Sequence, residues 1–338
     1  MVDVLLFVSL GISFVVTYLL TPKWINIAHQ NGITGKDMNK YDNPVVAEMG
    51  GLPVNAGFLA GVFVYIALNT FYFKSTTYNL YILAAISSCM IIMIVGMLDD
   101  ILGWKKGLKQ WQKPLLTLVA AFPMMVVNAG ESSMVLPIVG NVDFGVLYPL
   151  IVIPFGIAGA ANGFNILAGY NGLEGGMGVL ILGFLGFAAW QTDSGWVAML
   201  ALAMAFSLLA FLKYNWYPAK IFPGDSLSYS VGALIACVAI LGNLEKIAVI
   251  LFIPYFIDFI IPAVSPFLSK EQTFKTEAFG KPNKDGTLEL PYPHIYGMEH
   301  LALWSVKKIK GKCYEKEVTY FLFGVEIIIM LLVYLFML

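Results

Sequence analysis

Apolar runs separated by brief polar connections organise this chain. They lie near positions 3–20, 50–70, 79–98, 114–129, 146–163, 176–191, 196–213, 227–243, 247–265 and 319–338, each about the length of a helix that crosses ~30 Å of hydrocarbon. The pattern predicts an all-α polytopic membrane protein with about ten transmembrane helices. A single membrane domain then covers 1–338, and the only sizeable polar stretch, 266–318, connects the last two spans. The first run is longer than a signal-peptide core, lacks a preceding basic segment and shows no clear small-residue cleavage site, so it reads as a retained span.

Composition agrees. Hydrophobic residues make up 59% of the 338 and charged residues 12%, with a mean hydropathy of +0.79, too little polar material to cover a water-facing surface. The net charge of -1 says little, but the placement of charge says more. Every basic side chain apart from histidine is lysine. Lys23, Lys36 and Lys40 fall in the first connection, Lys105, Lys106, Lys109 and Lys113 in the third, Lys213 and Lys220 in the seventh, and nine lysines between Lys270 and Lys316 in the ninth. The even-numbered connections hold only Lys74 and Lys246. By the positive-inside rule the odd connections are cytoplasmic and both termini are outside. Cys89, Cys237 and Cys313 are odd in number and scattered, which excludes a disulfide framework and a zinc pattern. No nucleic-acid partner is expected.

The odd connections also collect the unusual polar sequence. "NPVVAEMGGLP" places Glu48 before a glycine pair that lets backbones approach. "GMLDDILG" ends an apolar run in Asp99 and Asp100, and "GAANGFNILAGYNGLEGGMG" sets Asn162, Asn165, Asn171 and Glu174 among small residues. "FPGDSLSYSVGA" opens a span with Asp225, and "LPYPHIYGMEHLALW" carries His294, Glu299 and His300. Five motifs on one face imply one site.

Each motif also has a plainer reading. The aspartate pair and Asp225 fit interfacial acids at helix ends, where lysines or the helix dipole stabilise them. The asparagines fit hydrogen bonds between helices, and the histidines fit ordinary interfacial residues. The functional reading is that adjacent carboxylates hold a divalent cation while a lysine contacts a phosphate. No Walker A sequence is present, so phosphate would be held by metal, lysine and backbone amides. Asp258 and Glu326 lie inside apolar runs away from these loops and read as polar groups of the bundle.

The ordered set "GMLDDILG", "NGFNILAGYNGLEGG" and "YNWYPAKIFPGDSLSYSVGA", followed by a histidine-bearing polar loop, resembles the polyprenyl-phosphate N-acetylhexosamine-1-phosphate transferases. "NILAGYNGLE" and "NWYPAKIFPGD" are most similar to the dolichyl-phosphate N-acetylglucosaminephosphotransferase branch, more so than to the bacterial phospho-N-acetylmuramoyl-pentapeptide transferases. The match runs from about Glu48 to His300. The resemblance implies ten helices and transfer of GlcNAc 1-phosphate from UDP-N-acetylglucosamine to a polyprenyl (dolichyl-type) phosphate at the cytoplasmic face, releasing UMP.

Carried over residue by residue, the resemblance implies Asn165 and Asp225 as ligands of Mg²⁺, with Mn²⁺ as a substitute. Asp99 and Asp100 lie beside that centre, and Lys113 contacts phosphate, with Lys106 and Lys109 as rivals. Asn171 and Glu48 approach uridine, and the 266–300 segment closes over the sugar. Eukaryotic relatives use arginines in that closing loop, whereas here Lys281, Lys284 or His294 substitutes or the contact is absent.

The acceptor phosphate is already nucleophilic at neutral pH, so the expected task is to position two anions and absorb charge on departing UMP. Asp99 or Asp100 acts as a base in a direct attack, or alternatively as a nucleophile. The lipid enters laterally, along a groove lined by apolar faces and by glycines such as Gly50 and Gly51. Membrane lipids are the other expected partners, and a homodimer is left open. Another UDP-N-acetylhexosamine is an alternative donor. A secondary transporter would concentrate polar groups at the bilayer midplane in repeated halves, and an intramembrane aspartyl protease would face two aspartates across adjacent helices; neither pattern is visible.

Overall fold

The computed structural model describes residues 2–106, 112–136, 140–268 and 277–338. Its helices are α1 (Val2–Gln30), α2 (Gly51–Phe71), α3 (Asn79–Lys106), α4 (Gln112–Val119), α5 (Phe122–Val126), α6 (Ile153–Phe164), α7 (Leu173–Gln191), α8 (Gly195–Asn215), α9 (Asp225–Gly242), α10 (Glu245–Leu251), α11 (Ile253–Leu268), α12 (Met298–Lys310) and α13 (Glu315–Met337). Among the described residues seven helices are long and apolar enough to cross a membrane, in α1, α2, α3, α7, α8, α9 and α13.

The other three expected spans are made of shorter pieces: α4 with α5, a π-helical turn at Tyr148–Val152 leading into α6, and α10 with α11. Proline accounts for the interruptions. Pro123 and Pro254 sit in the first turns of α5 and α11, and Pro149 opens the π turn; a residue without an N–H cannot continue the ladder of the preceding helix.

α9 is the centre of the bundle. Every residue from Ser226 to Ile240 is buried, as expected of a helix apolar all round, and α2, α3, α6, α7, α8 and α10 pack around it. Ser230 turns its hydroxyl inward on the helix, Oγ donating to Ser226 O at 2.9 Å while accepting from Asn55 Nδ2 at 2.9 Å. The outer helices behave oppositely. α1 and α13 expose large apolar side chains such as Phe7, Leu19, Leu332 and Phe336, which suits lipid rather than water.

Three antiparallel hairpins decorate the ends: β1 (Thr34–Lys36) with β2 (Val45–Ala47), β3 (Ser133–Leu136) with β4 (Gly140–Asp143), and β5 (Lys281–Pro282) with β6 (Leu288–Glu289). The first hairpin, with Thr34 opposite Ala47, ties the first connection to the seventh. Phe222 N–H donates to Ala47 O at 2.7 Å and Gly50 N–H to Phe222 O at 2.9 Å. A Cβ on Gly51 would stand 2.4 Å from Leu227 N. The glycine pair is therefore buried in a backbone contact, which corrects the expectation that it lines a lipid groove.

The 266–318 stretch is more ordered than a connecting loop. It holds the end of α11, the β5–β6 hairpin and α12, while residues 269–276 lie outside the described set.

Candidate active site

The site grows from the first turn of α9. A helix N-terminus leaves N–H groups without intrahelical acceptors, and the residue before α9, Gly224, has φ +72 and no side chain to cap them. Asp100 supplies the cap from α3: its two carboxylate oxygens accept the N–H groups of Asp225 at 2.7 Å and Ser226 at 3.1 Å. The approach depends on Gly96, one turn earlier on α3, where a Cβ would lie 2.5 Å from Asp225 O. A Cβ on Gly224 would meet Asp100 Oδ2 at 2.6 Å. Asp100 is thus occupied in holding α9, which separates its role from that of Asp99.

Asp99 turns toward Lys113 and Asp225 instead. Its Oδ2 lies 2.5 Å from Lys113 Nζ, and the same ammonium lies 3.1 Å from Asp225 Oδ2. Lys113 comes from α4 and stands 5.9 Å above the Tyr229 ring. Asn165, at the C-terminus of α6, donates from Nδ2 to Asp225 Oδ1 at 3.0 Å. Four helices, α3, α4, α6 and α9, therefore deliver Asp99, Lys113, Asn165 and Asp225 to one point. Asp225 and Lys113 are each about one quarter exposed, so the cluster is reachable from solvent.

Glu48 stands close by, fixed through its backbone by Trp24 Nε1, which donates to Glu48 O at 3.0 Å. Burial, and after it the charge of Asp225, pushes the Glu48 carboxyl above its usual range. Four carboxyls, Glu48, Asp99, Asp100 and Asp225, share this corner with the ammonium of Lys113. Fully ionised, they leave a deficit of three positive charges (one minus four).

The donor set suits a hard divalent cation, which prefers carboxylate and amide oxygens. Among the described residues no three acidic, histidine or cysteine groups already converge as ligands; the Lys113 ammonium occupies the space between Asp99 and Asp225 instead. A cation at this place would be held by Asp225 and by Asn165 with its amide oxygen turned inward, Asp99 standing beside it, and Lys113 would move toward an anion bound there.

Asn171 belongs to a second cluster. Its Oδ1 accepts from Lys40 Nζ at 3.2 Å and from Ala219 N at 2.8 Å, its Nδ2 donates to Asp37 Oδ2 at 3.2 Å, and its N–H donates to Glu315 Oε1 at 2.8 Å. Lys40 further pairs with Asp37 at 3.0 Å and with Glu315. Beside this network a cleft of about 380 Å³ is lined by Asn39, Lys40, Tyr41, Tyr217, Lys284 and Glu315, among others. Sequence reasoning missed Asp37, Asn39, Lys40 and Glu315. The one local signal was Asp37 and Lys40 three residues apart; Glu315, 275 residues away from Lys40, carried none.

The remaining candidates scatter. Asn162 donates to Thr117 Oγ1 at 2.9 Å and to Ala158 O at 2.8 Å, the plain interhelical role. Lys284 stands 5.8 Å above the Tyr41 ring in the second cleft, Lys281 is exposed on β5, and His294 is exposed beside Tyr296 at 6.2 Å between ring centres. Lys109 and the side chain of Lys106 lie outside the described residues. His300 is buried: its Nδ1 accepts the Tyr296 N–H at 3.2 Å, so Nε2 carries the hydrogen and donates to Glu277 O at 2.9 Å. Asp258 is more than a polar group of the bundle, since its Oδ1 accepts the Met298 N–H at 2.7 Å.

The sequence pattern described as Glycosyl transferase family 4 matches residues 80–243. A protein of Saccharolobus solfataricus is 35% identical over 321 residues, covering 94% of this chain and 92% of its own. One of Sulfolobus acidocaldarius is 32% identical over 332 residues, covering 97% and 95%. Both carry the provisional name UDP-N-acetylglucosamine–dolichyl-phosphate N-acetylglucosaminephosphotransferase. A Dictyostelium discoideum protein of the same name, without the qualifier, is 30% identical over 292 residues, covering 75% of this chain and 70% of its own.

Proposed function

Because the chain belongs to the polyprenyl-phosphate N-acetylhexosamine-1-phosphate transferases, alongside the dolichyl-phosphate N-acetylglucosaminephosphotransferases, we propose that it transfers N-acetylglucosamine 1-phosphate from UDP-N-acetylglucosamine to a polyprenyl phosphate of dolichyl type. The observation that carries this reading is the meeting of Asp99, Lys113, Asn165 and Asp225 from four helices, with more carboxyl than ammonium charge. The products are lipid-pyrophosphoryl-GlcNAc and UMP.

An oxygen of the lipid phosphate attacks the sugar-bearing phosphorus of the donor, and the bond from that phosphorus to the bridging oxygen breaks as UMP leaves. Mg²⁺, or Mn²⁺ in its place, supplies charge neutralisation at the donor pyrophosphate when held by Asp225 and Asn165. The rest falls to the chain. Lys113, once drawn from the two aspartates, binds a phosphate oxygen and offsets repulsion between the two anions. Asp99 accepts the last proton of the acceptor phosphate, and Asp100 keeps the first turn of α9 in place. Glu48 and the cleft beside Asn171 accommodate the nucleoside, with Lys284 among the residues that line the cleft. Substrates meet at the cytoplasmic side, where the positive-inside rule puts the lysine-rich connections.

The test is purified full-length protein in lipid, with Mg²⁺, a polyprenyl phosphate and a panel of UDP-sugars, read as UMP release. UDP-N-acetylglucosamine is the expected donor. Solute uptake by reconstituted protein without UMP release would overturn the reading. Isolation of a chemically competent phosphorylated enzyme would replace direct attack with a double displacement.

A further inference from the structure

The first turn of α13 carries two acids and a lysine, and only the lysine is left over. Glu315 accepts the Asn171 N–H and pairs with Lys40, while Glu317 takes Lys310 Nζ at 2.7 Å and the Tyr314 N–H at 2.9 Å. Lys316 is exposed, as is Lys213 in the last turn of α8. Among the described residues no carboxylate stands within ion-pair distance of either. Lys316 Nζ lies instead 4.7 Å from the centre of the Tyr217 ring, which Lys40 Nζ already approaches to 4.3 Å. Two ammoniums on one ring repel each other. Asp37 and Glu315 match the charge of Lys40, and nothing comparable matches that of Lys316.

Below Lys316 the surface turns apolar. Trp216, which ends α8, packs its ring 5.9 Å from that of Tyr320 and 6.2 Å from that of Phe323 on α13, closing the seam between the two helices. Lys316, Tyr320, Gly324, Ile327 and Leu331 follow one another at steps of three or four residues and so share one face of α13. Tyr320 is 54% exposed and Leu331 56%, and a Cβ on Gly324 would meet nothing within 4 Å. The face therefore runs from an uncompensated cation through an amphipathic tyrosine and a notch to an aliphatic stripe. That order matches a phospholipid from its phosphate down its chain, with lysine and tyrosine at headgroup depth and the aliphatic side chains in hydrocarbon. Water would suit the lysine alone and a neutral lipid the stripe alone, whereas an anionic headgroup with chains attached serves both ends.

We propose that this face of α13, at its seam with α8, binds an anionic phospholipid from the leaflet at the lysine-rich end of the bundle. Lys316 holds the phosphate with Lys213 as the second cation, and one chain lies along Gly324 and Ile327. Binding here does not depend on the reaction proposed above.

The experiment uses full-length protein in detergent, with bound lipid counted by native mass spectrometry across a lipid titration. Palmitoyl-oleoyl phosphatidylglycerol is expected to bind about tenfold tighter than phosphatidylcholine with the same chains, and glycerol 3-phosphate, the anion without chains, to stay at background. Lys316→Gln is expected to weaken phosphatidylglycerol about fivefold, and its combination with Lys213→Gln about twenty-five-fold. Gly324→Leu, which fills the notch, is expected to weaken both lipids about threefold. Lys308→Gln is the control, its lysine lying over Trp304 on α12, and is expected to change nothing. Equal affinity for the two lipids, saturable binding of glycerol phosphate, an intact phosphatidylglycerol preference in the double variant, wild-type binding by Gly324→Leu, or an equal loss in Lys308→Gln would each overturn the proposal. Should Lys316→Gln fail to fold, Lys316→Arg must bind as wild type and Lys213→Gln alone must weaken phosphatidylglycerol; failure of either rejects the site.

Discussion

Two clusters in this molecule each gather carboxylates from distant parts of the chain around one lysine, and they differ in what is left over. Around Lys40, Asp37 and Glu315 are almost fully buried, their side chains 4% and 2% exposed. Asn171 fills the remaining hydrogen-bond positions. Around Lys113, four carboxyls crowd a single ammonium, and Asp99 and Asp225 remain partly open at 11% and 23%. A cluster whose carboxylates are nearly closed to solvent and hydrogen-bonded to one another's partners is a fastener. One with a larger surplus of negative charge and side chains partly exposed beside the Lys113 ammonium is arranged to receive something positive.

The contrast is broken or sharpened by substitution. Asp225→Asn removes the charge that Lys113, Asn165 and a cation share, and is expected to lower kcat/KM by about 10³-fold, or ~4 kcal/mol, measured as UMP release. Its thermal midpoint should hold or rise, because repulsion among the carboxyls is relieved; a sharp fall in stability would make this cluster a fastener too. Lys40→Met is expected to destabilise the fold by about 3 kcal/mol, since it leaves two buried carboxylates uncompensated, measured by thermal unfolding in detergent. Full stability with abolished turnover would move Lys40 into the chemistry.

Asp100→Asn tests the middle ground. An amide can accept only one of the two α9 N–H groups and turns its own N–H₂ toward the other, so the expectation is a loss of about 1–2 kcal/mol together with a loss of activity smaller than that of Asp225→Asn. The smallest effect concerns His300. Burial holds its imidazole below the usual histidine range, and Nδ1 is an acceptor. The folded form therefore binds a proton less readily than the unfolded one. Its contribution to stability is complete above the ordinary histidine value and is lost as pH falls through the lowered one. Between about pH 7 and 5 hydrogen exchange of residues 277–300 should accelerate, and Asn in place of His300 should flatten that dependence.

Much of this was legible in the chain. Run lengths alone marked the apolar helices, and they did not show that Pro123, Pro149 and Pro254 divide three of the runs into pieces, because hydropathy counts apolar side chains and is blind to a missing backbone donor. The motifs pointed to Asp99, Lys113, Asn165 and Asp225, which do meet. Asp100, adjacent to Asp99 and chemically identical, could not be told from it: a step of one residue on a helix turns the side chain by about 100°, and here that turn separates a partner of Lys113 from a helix cap. Asn171 was placed beside the nucleoside with no hint of its bonds to Asp37, Lys40 and Glu315.

The sequence by itself determined that this protein lives in a bilayer, on which stretches its polar chemistry collects, and which chemistry those residue types can perform. Those properties follow from composition and local spacing. Only the tertiary structure decided which partners each carboxylate takes, Asp99 the Lys113 ammonium and Asp100 the first turn of α9. Partnership between residues hundreds of positions apart is set by helix packing and by close approaches at residues such as Gly96, and no period or motif along the chain encodes it.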